Sequence, residues 1–531
     1  MTTEQKIGQR IALGFSGTRV SEELRRLVAK YRAGNIILFQ RNLESASQAK
    51  ALCDGLQELI RAETGEPAFI AIDQEGGAVV RLPPDMVNVP GAMALAASGK
   101  TENVALAAQI TAAELWRIGV NLNLAPVLDV NCNPDNPVIG NRSFSPRPEE
   151  AAVFACAAVK AFEEAGLMCC GKHFPGHGDT AVDSHLDLPM VDLSLAELEA
   201  RELLPYRAAI EAGIPAIMTS HILFPRIEPE KLPATMSAKI LRGLLRERLG
   251  FQGLILSDAI EMEAIKTHYG MPRGCVEALS AGVDIIYLCH EMPEVEDSLK
   301  AVYAAYDAGR FDEKEFDASV DRILRFKEKY AVFGQFGTFG PGDAEDNKDA
   351  FDKAIKQRRE RNAVLTQSTL APREAGKAPP PLGPKPFFIG PLPYRSTIAS
   401  SRPDASLSFG RWFAERFNGA FTETAVDPDA AEIKRVVSSL PEASAVVLGT
   451  YNSHLNQGQR ELVNALSGAA GQRGIPFIVL ALRNPWDISL LPEGAYGMAL
   501  WEYSEKSFEA AAAVFRGEAA LEGRLPGIGH S

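Results

Sequence analysis

The sequence predicts an α/β chain in two units: a (β/α)8 barrel of the TIM type over residues 1–335, then, after a linker over 336–385, a smaller α/β sandwich over 386–531. Three observations predict the barrel. Eight short apolar runs alternate with stretches of helical spacing over about 330 residues, the scale of such a fold. Polar and charged residues gather just after those runs, at the end where barrels carry their sites. The Gly-rich phosphate turn that a doubly wound open sheet would want early on does not occur. A chain of 531 residues also exceeds one ordinary core, so two domains are its natural division.

The first run is Ile11-Ala12-Leu13-Gly14-Phe15, followed by helical spacing through Leu24, Leu27 and Val28. Gly34 to Phe39 is the second strand, with a helix through Ala51, Leu52, Leu56 and Leu59 after it. Phe69-Ile70-Ala71-Ile72 is the third and ends in Asp73-Gln74-Glu75-Gly76-Gly77. The fourth, Val120 to Pro126, ends near Asp129, and the fifth, Gly166-Leu167-Met168-Cys169-Cys170, runs up to Lys172. Ala216 to His221, Leu254 to Asp258 and Val283 to Leu288 complete the eight. Helical patterns at Ala105 to Ile118, Ala151 to Ala165 and Val320 to Tyr330 lie between and after them. Gly, Asp and Lys then dominate at 334–353, a charged helical piece spans about 350–368, and Pro379-Pro380-Pro381 ends the linker. In the second unit, Pro386 to Gly390, Ala445 to Gly449 and Phe477 to Ala481 read as strands, and Glu461 to Leu466 and Ser507 to Phe515 as helices.

Hydrophobic content of 46% and charge of 23% describe a soluble globular protein. A net charge of −13 argues against nucleic acid, which needs clustered Lys and Arg. No apolar run approaches a membrane span and no signal peptide is visible, so a cytoplasmic location is expected. The seven cysteines (Cys53, Cys132, Cys156, Cys169, Cys170, Cys275 and Cys289) are scattered in mostly apolar runs and read as reduced core residues.

The densest polar stretch is Lys172-His173-Phe174-Pro175-Gly176-His177-Gly178-Asp179-Thr180, continuing through Asp183-Ser184-His185. A polar cluster behind an apolar strand is costly unless it does chemistry or satisfies itself with hydrogen bonds. Asp183 and His185, two apart, can form a carboxylate–imidazole dyad for proton transfer near neutral pH, or Asp183 can simply bond its own loop. His173, His177 and His185 as zinc ligands match none of the usual spacings, so neither a metal nor a cofactor is expected. Asp258, closing its strand, can attack an anomeric carbon or cap a helix starting near Ile260. Asp73, Arg81, Arg142, Lys172 and His173 all fall at or after barrel strands; together they can grip several hydroxyls, while singly each can be an ordinary salt bridge.

Four strings in this order resemble glycoside hydrolase family 3: Ile72-Asp73-Gln74-Glu75-Gly76-Gly77 with Arg81, Gly140-Asn141-Arg142-Ser143-Phe144, Lys172 to Gly178 with Asp183-Ser184-His185, and Ser257-Asp258-Ala259-Ile260-Glu261-Met262. The likeness covers roughly residues 5–335 and is closest to the β-N-acetylglucosaminidase branch. Thr450-Tyr451-Asn452, Arg483-Asn484-Pro485-Trp486-Asp487 and Gly523-Arg524-Leu525-Pro526 resemble, more loosely, the sandwich domain of two-domain members.

The resemblance implies a retaining exo-β-N-acetylglucosaminidase, a β-N-acetylhexosaminidase that removes terminal β-linked N-acetylglucosamine from cell-wall muropeptides or amino-sugar oligosaccharides through a glycosyl-aspartate intermediate. It implies Asp258 as nucleophile, His185 as acid/base with Asp183 as its partner, and Asp73, Arg81, Arg142, Lys172 and His173 around the sugar. A His in place of the second carboxylate departs from the usual retaining pair and would let phosphate approach with less repulsion, which keeps a β-N-acetylglucosaminide phosphorylase in view. A β-glucosidase of the same family and a non-catalytic carbohydrate-binding protein stay in view beside it. Asn452, His454, Gln457 and Arg460 are candidate aglycone contacts from the second unit, and Gly171, Gly176 and Gly178 give the catalytic loop freedom to swing.

Overall fold

In the computed structural model the described residues are 1–181, 188–290, 293–331, 348–395, 397, 399–401 and 404–526. Eight parallel strands close into a barrel: β1 Ile11–Leu13, β2 Asn35–Leu38, β3 Phe69–Ile72, β4 Leu122–Asn123, β5 Met168–Phe174, β6 Ala216–Thr219, β7 Leu254–Ala259 and β8 Ile285–Leu288. β8 returns to β1, with Tyr287 beside Ala12.

The strands read as unbroken apolar runs because both of their faces are covered. Alternate residues divide between two cores. Ala12, Phe69, Ala71, Leu122, Met168, Cys170, Leu254, Leu256 and Tyr287 fill the barrel interior. Ile11, Leu13, Ile70, Ile72, Cys169, Ile255 and Ile286 face the surrounding helices. The helix Glu313–Tyr330 packs Phe326 and Tyr330 against the interior cluster, and its Lys327 donates to Gln9 Oε1 (2.6 Å) and the Gly34 carbonyl (2.9 Å).

Most barrel strands end within two residues of the sequence reading, and two differ by more. β4 has two ladder residues rather than seven, because the Asn121 and Asn123 side chains take over the pairing. Asn121 accepts from Ile70 N and donates to Ala68 O, and Asn123 does the same with Gln74 N and Gln74 O, all within 2.8–3.0 Å. β5 continues beyond Cys170 to Phe174, so Lys172 and His173 belong to the strand and not to the loop behind it.

The second sheet runs β11-β10-β12-β13-β14-β9, from β9 Ala371–Pro372, β10 Pro386–Pro391, β11 Ala420–Thr424, β12 Ala445–Thr450, β13 Phe477–Ala481 and β14 Tyr496–Ala499. All pairs are parallel except β9 with β14. Apolar clusters cover both faces. The stretch between barrel and sandwich holds the helix Lys348–Thr369, whose Arg358 pairs with buried Glu114 (2.8 Å) and whose Asn362 donates to Asn88 O (2.8 Å) on the barrel. Among the described residues no helix is long and apolar enough to cross a membrane.

Candidate active site

A cavity of about 750 Å³ opens at the C-terminal ends of the barrel strands. Asp73, Arg81, Arg142, Lys172, His173 and Asp258, all singled out from the sequence, line it together. Asp183 and His185 lie outside the described residues.

Asp73 follows β3, and Lys172 points from β5 into the same space. Lys172 Nζ donates to Asp73 Oδ1 at 2.6 Å and stands 2.8 Å from Glu75 Oε1. Arg142 closes the cluster with a bidentate pair, Nη2 to Glu75 Oε1 (2.8 Å) and Nε to Glu75 Oε2 (2.9 Å), and a third bond from Nη1 to Val138 O (3.1 Å). Burial alone would raise the Glu75 pKa. The charges of Arg142 and Lys172 overturn that and hold the carboxyl well below its usual range. Working against burial, Glu75 and Asp73 raise the pKa values of Lys172 and Arg142. Such a dry, alternating set of fixed donors and acceptors suits a polyhydroxylated ring.

Arg81 is anchored differently. Its backbone N–H donates to Gln74 Oε1 (2.8 Å), and its guanidinium reaches the second domain, Nη2 to Ala399 O (2.9 Å) and Nη1 to Ser401 Oγ (3.3 Å). Its Nε is buried and has no hydrogen-bond partner among the described residues.

His173 is fixed by buried Asp129, whose Oδ2 lies 2.7 Å from Nδ1, an orientation that leaves the other ring nitrogen as the one free to meet a ligand. His177 is set by Thr180 Oγ1 (2.8 Å from Nδ1), and burial, then the neighbouring His173, push its pKa down to about 4. It is a neutral wall residue in the working pH range.

Asp258 is within β7, and its Oδ1 accepts the N–H of the next residue, Ala259 (2.8 Å). The following helix begins at Glu263 behind Met262, so Asp258 does not cap it. A carboxylate that lines a cavity at a barrel mouth is of the kind that can attack a ring carbon bound there.

Several contributors escaped the sequence reading. Glu75, the hub of the ion cluster, stood in the Asp73-Gln74-Glu75 string, and Asp129 marked the end of the fourth run. Glu261, three residues after Asp258, accepts from Cys289 N (2.6 Å) and pairs with His290 Nδ1 (2.9 Å) on the cavity wall. The second domain adds Arg395, Ala399 and Ser400 to that wall. Asn452, His454, Gln457 and Arg460 do not line it. They bond within their own domain, to Asn484, Asp487, Glu461, and the Ser453 and His454 carbonyls respectively.

Comparison with known proteins agrees with this fold. The model of the glycosyl hydrolase family 3 N-terminal domain matches residues 2–326. A β-hexosaminidase A from Pseudoalteromonas piscicida is 35% identical over 367 residues, 62% of this chain and 61% of that protein, so the chain spans about three fifths of that relative. A β-hexosaminidase from Alkalilimnicola ehrlichii is 37% identical over 296 residues, 55% of this chain and 83% of that protein. The solved structure of a glycoside hydrolase family 3 β-N-acetylglucosaminidase from Paenibacillus sp. str. FPU-7 is 36% identical with a TM-score of 0.88, over 99% of this chain and 98% of that one.

Proposed function

The chain belongs to glycosyl hydrolase family 3, and from that footing we propose that it is a retaining exo-β-N-acetylglucosaminidase acting on terminal β-linked N-acetylglucosamine of cell-wall muropeptides or amino-sugar oligosaccharides. The observation that carries the reading is the meeting of Asp73, Glu75, Arg81, Arg142, Lys172 and His173 with Asp258 around one cavity. Asp258 attacks the anomeric carbon and forms the glycosyl-enzyme while the departing oxygen takes a proton from an acid. Water, activated by the same group as base, then releases the sugar. By its motif that group is His185, oriented by Asp183. Asp73, Arg81, Arg142, Lys172 and His173 hold the ring hydroxyls, and Glu75 keeps the two cations in place. The β-N-acetylglucosaminidase activity of the Paenibacillus protein supports the amino sugar as substrate. Seven unpaired thiols support a reducing compartment, the cytoplasm.

The test is nitrophenol release from the β-N-acetylglucosaminide beside the β-glucoside, for wild type and His185→Ala. Turnover of the first substrate alone is expected, with the variant most impaired on poor leaving groups. Preference for the glucoside would overturn the substrate assignment, and an undiminished His185→Ala variant the acid/base assignment. Run in phosphate buffer, the assay also separates hydrolysis from transfer to phosphate by the yield of sugar 1-phosphate.

A further inference from the structure

We infer that Asn484 of the second domain is a positioning residue for the active site, holding the barrel turn that presents Arg142 to the cavity. The inference rests on the reading of Arg142 as a sugar ligand. Asn484 does not itself line the cavity and therefore acts through its neighbour.

Arg142 ends the single turn Gly140–Arg142. Its head is fixed by Glu75 and Val138 O, as described, and its own N–H donates to Ile139 O (2.9 Å), but the preceding residue of the turn is held from the other side of the domain boundary. The N–H of Asn141 donates to Asn484 Oδ1 at 2.8 Å. The Asn141 side chain donates to Trp501 O (2.7 Å) and Arg483 O (3.2 Å). Asn484 is aimed in turn by Asn452, whose Oδ1 accepts from Asn484 Nδ2 at 2.9 Å. Asn141, Asn452 and Asn484 are all buried, so each bond forms away from competing water.

The backbone around this relay is unusual. Gly140, Asn452 and Trp501 take φ of +49°, +59° and +69°. A bulky residue such as Trp in that region is an outlier, held there by its surroundings. At Gly140 a Cβ would stand 2.7 Å from Asn484 Oδ1, so the amide reaches the turn only because residue 140 has no side chain. Arg81, tied to Ala399 O and Ser401, is the second cavity cation held across the same boundary. A displacement of about an ångström at a substrate-gripping group is enough to cost a large factor in rate.

The experiment is a double-mutant cycle on the full-length chain, with nitrophenyl β-N-acetylglucosaminide as substrate and thermal unfolding recorded for every variant. Asn484→Ala is expected to lower kcat/KM roughly tenfold to a hundredfold, the range of the charge-assisted hydrogen bond that a misplaced Arg142 would lose to the sugar. In an Arg142→Ala background it should change kcat/KM by about twofold at most, because the group it positions is gone. Asn484→Asp keeps an oxygen for the Asn141 N–H and should recover most of the loss even if its unfolding temperature drops. Equal losses in both backgrounds, an Asp variant no better than Ala, or a folded Asn484→Ala with wild-type kinetics overturns the positioning role and leaves Arg142's own role standing. Unchanged kinetics in Arg142→Ala overturns that role and this one with it. Should Asn484→Ala fail to fold, the cycle runs with Asn452→Gly, which removes the acceptor behind the Asn484 amide and suits the positive φ there; the same non-additivity is expected, and plain additivity overturns the relay.

Discussion

Asp129 holds His173 at backbone and ring together: its carboxylate accepts the His173 N–H at 3.1 and 3.2 Å and stands 2.7 Å from Nδ1. The same group takes the His177 N–H at 2.8 Å. One buried carboxylate thus sets the start of the loop that runs toward residues 182–187. Asp129→Ala strands these donors in the interior and should destabilise the protein by roughly 3–5 kcal/mol. Asp129→Asn keeps an acceptor for the amides and should cost distinctly less. Urea unfolding of the two variants, followed by tryptophan fluorescence, checks the order.

Asp258→Asn keeps the shape of the side chain and removes its nucleophilic oxygen. The kcat for an aryl N-acetylglucosaminide should fall by about a thousandfold or more, with the thermal midpoint nearly unchanged. A residual rate within tenfold of wild type, about 1.4 kcal/mol of barrier, would remove Asp258 from the nucleophile's place.

Lys172 is the cation shared by Asp73 and Glu75. Lys172→Met leaves buried negative charge short of a partner, for a loss of roughly 3–5 kcal/mol in stability. Adding Glu75→Gln should return part of that stability without returning activity. Denaturant midpoints and kcat/KM of the single and double variants separate the two effects.

Glu202 gives a pH dependence with a definite sign. Burial raises its pKa from the usual 4.5 to about 7, against the pull of Arg201. Between those values the folded chain keeps a proton that the unfolded chain has released. Stability therefore falls as pH rises through that window, and the loss is complete above it. The group packs under the loop that follows β5: Arg201 joins its Oε1 (2.8 Å) to Asp179 (2.6 Å), and a Cβ on Gly176 would meet its Oε2 at 2.7 Å. Glu202→Gln cannot ionise. Relative to wild type it should be about as stable at pH 5 and more stable at pH 8 by about 2–3 kcal/mol. Thermal midpoints of both proteins across pH 5–8 test this, and a constant difference would contradict it.

Much of the barrel and of the cavity was legible because both obey short-range rules. A strand covered on both faces is an apolar run, and Asp73, Lys172, His173 and Asp258 sit at the mouth because each stands near the C-terminal end of one. What escaped the reading depends on distant partners. Glu75 looks like any loop carboxylate until Arg142 arrives from the turn Gly140–Arg142 and Lys172 from β5. β11, Ala420-Phe421-Thr422-Glu423-Thr424, is a half-exposed edge with no apolar run, and β9 is two residues long. Arg395, Ala399 and Ser400 meet the cavity through the way two domains pack, which leaves no period in the chain.

The brevity of β9 has its own meaning. Pro372 faces Met498 and Ala371 faces Ala499, so the outer rim of β14 is closed by two residues, one without an N–H to offer. A strand from another molecule finds little ladder at that rim to extend. Removing Ala371 and Pro372 would uncover that rim, and the sandwich would then expose the edge of β14 to pairing with another molecule.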